Sequence, residues 1–159
     1  TVKPGIRLPG IWSMFEAGIR AILGQQISVT AARNLVTVLV NTLGEPGDGK
    51  YYFPTPRAIA ESELDCLKIP GSRKQTLRNL ARHYLESDNP DDASAWLKLK
   101  GIGPWTVDYA RMRGLSEPDI FLGGDLGVKK AMGKSAETLS PDQVSPWRSY
   151  LTFQLWSLL

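Results

Sequence analysis

The chain has 159 residues, 42% of them hydrophobic and 22% charged, which is enough apolar material for one domain with its own core and argues against disorder. One cysteine, Cys66, and one histidine, His83, exclude an internal disulfide and a Cys/His zinc set and leave little room for Ser/His/Asp chemistry, so catalysis would rest on carboxylates, lysines, hydroxyls or aromatics. A formal charge of +3 and a pI near 9.1 mildly favour an anionic partner. The excess lies in the first half: residues 1–80 hold 10 Lys/Arg against 6 Asp/Glu, and residues 81–159 hold 9 against 10. No apolar run reaches the roughly 20 residues needed to cross a bilayer, and TVKPGIRLPG lacks a secretion signal's apolar stretch, so a soluble intracellular protein without membrane contact is expected.

Taken in chain order, helical periodicity dominates. Phe15, Ile19 and Ile22 fall at spacings of three and four, and Ala32, Leu35, Val36, Leu39, Val40 and Leu43 continue the pattern up to Gly44, a natural C′ residue. The two helices join near Gly24-Gln25-Gln26-Ile27, with Ser28 as N-cap. Residues 44–56, rich in Gly and Pro, read as a surface loop. Thr55-Pro56 and Ser140-Pro141 place an N-cap before a proline at N1, and Ser62 with Asp65 resembles a capping box. Leu77, Leu80, Ala81, Tyr84 and Leu85 form a third apolar helix face, and Cys66 and His83 sit within helical patterns, where packing accounts for them. No convincing alternating strand appears, so the expected fold is all-α, with several short helices around one or two cores.

Two segments carry chemistry. In LKLKGIGPWTVDYA, Gly101 and Gly103 allow a tight turn and close approach of another molecule, and Pro104 opens a helix whose first N–H groups are free. An ordinary interhelical turn and a phosphate cradle are both open on the glycines alone. In IFLGGDLGVKKAM, Asp125 follows Gly123-Gly124 and starts a helical pattern containing Val128 and Met132. It reads as an N-cap or as a catalytic carboxylate, and the roles are compatible, because one oxygen can cap while the other faces a ligand. Trp105 and Tyr109, four apart, share a helix face that is either core or pocket wall. Lys98, Lys100, Lys129 and Lys130 are candidate phosphate contacts or a solvated face.

An apolar helix, a GIG hairpin and a second helix, about residues 91–113, resemble the helix-hairpin-helix motif of DNA-binding proteins. Followed by a Gly-rich loop and an aspartate, they resemble the HhH-GPD superfamily of DNA base-excision glycosylases. RLPGIWSMFEAGIRAILGQQISVTAARNL (7–35), FPTP (53–56), GIGPWTVDYARMRG (101–114), DIFLGGDLGVKKA (119–131) and PWRSY (146–150) are similar to its 3-methyladenine DNA glycosylase II (AlkA-type) branch over nearly the whole chain.

That resemblance implies the remaining expectations. Asp125 is the catalytic carboxylate. Trp105, Tyr109 and Trp156 line a pocket for an extruded, cationic alkylated purine. Gln25 and Gln26 lie in the loop that enters the duplex gap, with Gln26 where an apolar wedge stands in the well-known branch member. Gly101, Gly103, Trp105, Thr106 and Lys100 hold a DNA phosphate. The carbonyls of Leu97, Leu99 and Ile102 hold a structural Na+ or K+, and catalysis needs no cofactor. The partner is double-stranded DNA containing alkylated bases, bound by a monomer in a bacterial cytoplasm.

Trp105 stands where bifunctional relatives such as endonuclease III have a Schiff-base lysine, which implies base removal without strand cleavage. A single cysteine cannot hold the iron–sulfur cluster of those relatives. The chain departs from the pattern at Leu122-Gly123-Gly124, where relatives often have proline, and at Ser157, where a further aromatic sometimes stands. Full-length members carry an N-terminal sheet domain not found in residues 1–159, so the chain reads as a catalytic region, excised or part of a fusion. The rival readings are a non-catalytic DNA-binding module and a glycosylase for other lesions.

Overall fold

The structure is a computed structural model that describes residues 3–134 and 140–159. Eight α-helices follow one another among these residues: α1 (Met14–Gly24), α2 (Val29–Leu43), α3 (Pro56–Glu61), α4 (Gly71–Glu86), α5 (Ala93–Trp96), α6 (Pro104–Gly114), α7 (Leu126–Lys134) and α8 (Arg148–Trp156). A 3-10 turn, Pro141–Val144, precedes α8. The all-α expectation holds. The loop after α2 adds a minimal antiparallel hairpin, β1 (Pro46–Gly47) with β2 (Lys50–Tyr51).

The starts of α2 and α3 follow the local chemistry read from the sequence. Ser28 accepts from the Ala31 amide at 3.2 Å and Thr55 from the Ala58 amide at 3.2 Å, each satisfying one orphan donor of its helix. One expectation fails and two hold in position but not in the expected geometry. Ser62 ends α3 and its hydroxyl accepts from the Leu64 amide, closing a turn two residues long where a capping box would need a helix. Ser140 stands as the N-cap before Pro141, but of a 3-10 turn and without a side-chain hydrogen bond. Gly44 has φ −69°, so it serves by close approach and not by a left-handed turn: a Cβ there would lie 2.4 Å from the carbonyl oxygens of Tyr52 and Val40.

The apolar faces close two cores. The larger gathers Phe15, Ile19 and Ile22 of α1, Leu39 of α2, Ile59 of α3, Leu77 and Leu80 of α4, Trp96 of α5, and Val107 and Ala110 of α6. The smaller joins Met112 of α6 to Ile120, Leu122, Val128 and Ala131 of the α7 region and Leu155 of α8. Helix α6 belongs to both, which is why it shows no single apolar stripe. It packs extensively on α1, and Gly114 permits this, since a Cβ there would meet the Met14 backbone at 2.5 Å. No described helix is long and apolar enough to cross a membrane.

Candidate active site and nucleic-acid interface

A cleft of about 1870 Å³ opens between the two cores, larger than the roughly 300–1,000 Å³ of small-molecule sites and suited to part of a macromolecule. Its walls bring together residues far apart in sequence: the loop 24–28, the start of α6 with Trp105 and Tyr109, Asp125 with Gly127, and Trp156.

Asp125 sits at the start of α7. Its Oδ1 accepts from the Val128 amide at 2.9 Å, the N-cap bond, and from the Trp156 indole Nε1 at 3.0 Å. Its Oδ2 accepts from the Trp105 indole Nε1 at 3.2 Å. The capping carboxylate therefore also lines the cleft, and three donors fix it. Two carboxylate oxygens offer about four acceptor positions, so one stays available on Oδ2. Gly127 sets this arrangement: a Cβ there would lie 3.0 Å from Asp125 Oδ1, 2.9 Å from Leu159 and 3.3 Å from the Trp156 ring.

The three aromatics form one assembly. Trp105 stacks on Tyr109 with centroids 5.4 Å apart at 28°, and Trp156 lies 6.5 Å from Tyr109 at 47°. One turn further along α6, the Arg113 guanidinium lies 5.7 Å from the Tyr109 centroid and 5.5 Å from that of Phe153. Tyr109 thus contacts Trp105, Trp156 and Arg113, while the two tryptophans flank the carboxylate. Ser157 takes no part in the cleft; its hydroxyl donates to the Gln154 carbonyl at 2.7 Å.

The two glutamines of the loop differ. Gln25 donates through Nε2 to Thr106 Oγ1 at 3.0 Å, tying the loop to α6. Gln26 is exposed and has φ +61°, a left-handed conformation uncommon outside glycine and concentrated at functional sites. Thr106 itself is buried, so its contribution to an anion would come from its backbone amide, as with Trp105, at the open end of α6.

In the hairpin, Gly101 has φ +90° and a Cβ there would lie 2.0 Å from Thr76 Oγ1. Thr76 in turn donates to the Lys100 carbonyl at 3.3 Å and docks the turn on α4. Gly103 has nothing within 4 Å of its Cβ position. Packing explains the first glycine, whereas the second leaves backbone open to whatever approaches from outside. Lys100 is exposed. The Leu99 carbonyl accepts the Ile102 amide at 3.2 Å and keeps a second lone pair.

The segment leading to Asp125 is bound to α8 by buried hydroxyls that the sequence reading missed. Ser149 Oγ accepts from the Ile120 amide at 2.9 Å and donates to the Glu117 carbonyl at 2.6 Å. Thr152 Oγ1 accepts from the Leu122 amide at 3.4 Å. Asp119 receives both Nε and Nη2 of Arg148, at 2.6 and 2.9 Å, and these bonds hold its carboxyl at about 2, well below the usual carboxylate range. The available signal was the spacing of Ser149 and Thr152 on the face of α8 that also carries Leu155 and Trp156. Arg20 and Glu16, paired at 2.7 Å on the cleft wall, went unread as well.

The chain is 35% identical to DNA-3-methyladenine glycosylase 2 of Escherichia coli over 97% of its length and 61% of that protein's. It is 34% identical to the probable bifunctional transcriptional activator/DNA repair enzyme AlkA of Mycobacterium tuberculosis, over 98% of its length and 36% of that protein's. Among solved structures, a 3-methyladenine DNA-glycosylase from Archaeoglobus fulgidus superposes with TM-score 0.70 at 25% identity, over 91% of this chain and 57% of that one. The chain belongs to the AlkA-type branch of the HhH-GPD superfamily. No protein-family model matches it. MBOgg1, solved with a low-affinity DNA ligand, shares the HhH-GPD fold with TM-score 0.74 at 16% identity. The chain spans between about a third and three fifths of the curated relatives named here.

Proposed function

We propose that the protein is a monofunctional DNA glycosylase that removes cationic, N-alkylated purines such as 3-methyladenine from double-stranded DNA. The observation that carries this is the carboxylate of Asp125, fixed by two indole N–H groups of the aromatic residues that wall the same cleft.

The chemistry follows from the leaving group. A target base must first leave the stack, and the aromatic cleft rewards a positively charged ring by about 0.5–2 kcal/mol per good cation–π contact. An alkylated purine is already cationic and departs with the N-glycosidic electron pair as a neutral base, so no general acid is needed, unlike in ordinary glycosidases with two carboxylates. Asp125 stabilises the positive charge that develops on the sugar, and water adds at the same carbon. The proton lost by that water passes to Asp125 or to solvent, leaving an abasic site. Trp105 has no amine for a Schiff base, so the strand stays intact.

Gly101, Gly103, Trp105 and Thr106, with Lys100, take a backbone phosphate, and the Leu97, Leu99 and Ile102 carbonyls take a monovalent cation that stiffens the turn. Gln26, strained and exposed, fills the gap that flipping leaves, and Gln25 braces it through Thr106. The protein acts as a monomer on chromosomal DNA.

Asp125→Asn tests the reading. It preserves a cap acceptor at α7 and removes the charge, so base release from methylated DNA should fall by at least about 100-fold, while affinity for duplex DNA changes only a few-fold. Undiminished release overturns the catalytic assignment.

A further inference from the structure

Trp12 is 96% exposed, yet it lines the cleft that contains Asp125 and Gln26. A free indole is an uncommon surface residue, since most of its area is apolar and its burial is favourable. Its backbone is not loose. On one side the Ile11 amide donates to the Arg113 carbonyl at 2.7 Å, and Arg113 Nε donates to the Pro9 carbonyl at 2.8 Å. On the other, Ser13 caps α1 by accepting from the Glu16 amide at 3.1 Å. The ring is therefore presented from a pinned backbone segment, so that only its own side-chain rotamers remain to be ordered when a partner arrives. The charged lining of the cleft favours a polyanion, with Arg20, Arg33 and Arg113 against Glu16 and Asp125.

We propose that Trp12 is a DNA-contacting residue that stacks on a nucleobase left without a neighbour when the lesion is flipped. This rests on the glycosylase reading and adds a second protein element at the gap, an aromatic lip on the same cleft as the Gln26 tip. Stacking on an aromatic is tolerant of sequence because every base has a π-face. An intact duplex, whose bases are already stacked, offers Trp12 nothing comparable.

The test compares a duplex carrying a tetrahydrofuran abasic analogue with an intact duplex of the same sequence, by fluorescence anisotropy. Trp12→Ala should bind the gapped duplex about 5- to 100-fold more weakly than the wild type, bind the intact duplex within 2-fold, and melt at the wild-type temperature, because the ring packs against nothing. Trp12→Phe should recover most of the affinity. An alanine variant that binds the gapped duplex as tightly as wild type overturns this inference alone, as does an equal loss on both duplexes or a phenylalanine variant as weak as alanine. A wild-type protein with no preference for the gapped duplex overturns the glycosylase reading itself.

Discussion

The two cores on either side of the cleft are closed by different means. Among the described residues the larger buries 18 apolar side chains drawn from α1 through the start of α6, at spacings that the helices themselves dictate. The smaller buries six, and the loop that carries the chain from α6 to Asp125 is held to α8 by Ser149, Thr152 and the Asp119–Arg148 pair. A buried backbone segment with no regular structure leaves amides that no ladder satisfies, and here side-chain hydroxyls accept two of them. Asp125, the carboxylate proposed to act on the sugar, thus stands on the side built by specific polar bonds. Apolar packing tolerates small shifts in position, whereas hydrogen bonds fix atoms to tenths of an ångström, and catalysis requires the second.

This contrast can be broken from either side. Leu80→Ala, at a fully buried position of the larger core, should cost about 2–5 kcal/mol, read as a lowered denaturation midpoint. Base release per folded molecule should stay near the wild-type value. Ser149→Ala should cost less, about 1–3 kcal/mol, because it strands the buried Ile120 amide. It should nonetheless lower base release in the folded protein, since the segment that carries Asp125 loses its tie to α8. Equal effects of the two variants on release would mean that the smaller core gives the site no special positioning.

The smallest effect concerns pH. Hydrogen bonds from Arg148 hold the Asp119 carboxyl at about 2 in the folded protein, below the ordinary 3.8. The ion pair therefore stabilises the fold fully above about pH 4 and less as the pH falls toward 2. Melting temperatures of wild type and Asp119→Asn should differ at pH 6 and converge between pH 4 and pH 2. A difference that stays constant through that window would show that the pair does not link the loop to α8.

The legible parts of the molecule were those in which a local pattern has a local cause. The first helical pair, the Ser28 and Thr55 caps and the GIG turn each follow from spacing or from a side chain within three residues of the amide it satisfies. Ser62 misled because the same hydroxyl geometry that caps a helix also closes a short turn. Asp125 was legible as a cap and, through resemblance, as a site residue; its two indole partners, 20 residues before and 31 after, were not legible as hydrogen-bond donors. Ser149 and Thr152 are ordinary helix residues until the loop they satisfy is packed over them.

Helix periodicity, capping chemistry and the spacing of Gly101, Gly103 and Asp125 were properties of the chain alone, because each acts over at most one or two turns of backbone. What the tertiary structure decided is which glutamine of the loop is braced and which is exposed, that Tyr109 packs against both Trp105 and Arg113, and that Trp12 stays bare on the cleft wall. Those outcomes depend on how two cores meet across α6, and sequence separation carries no record of that distance.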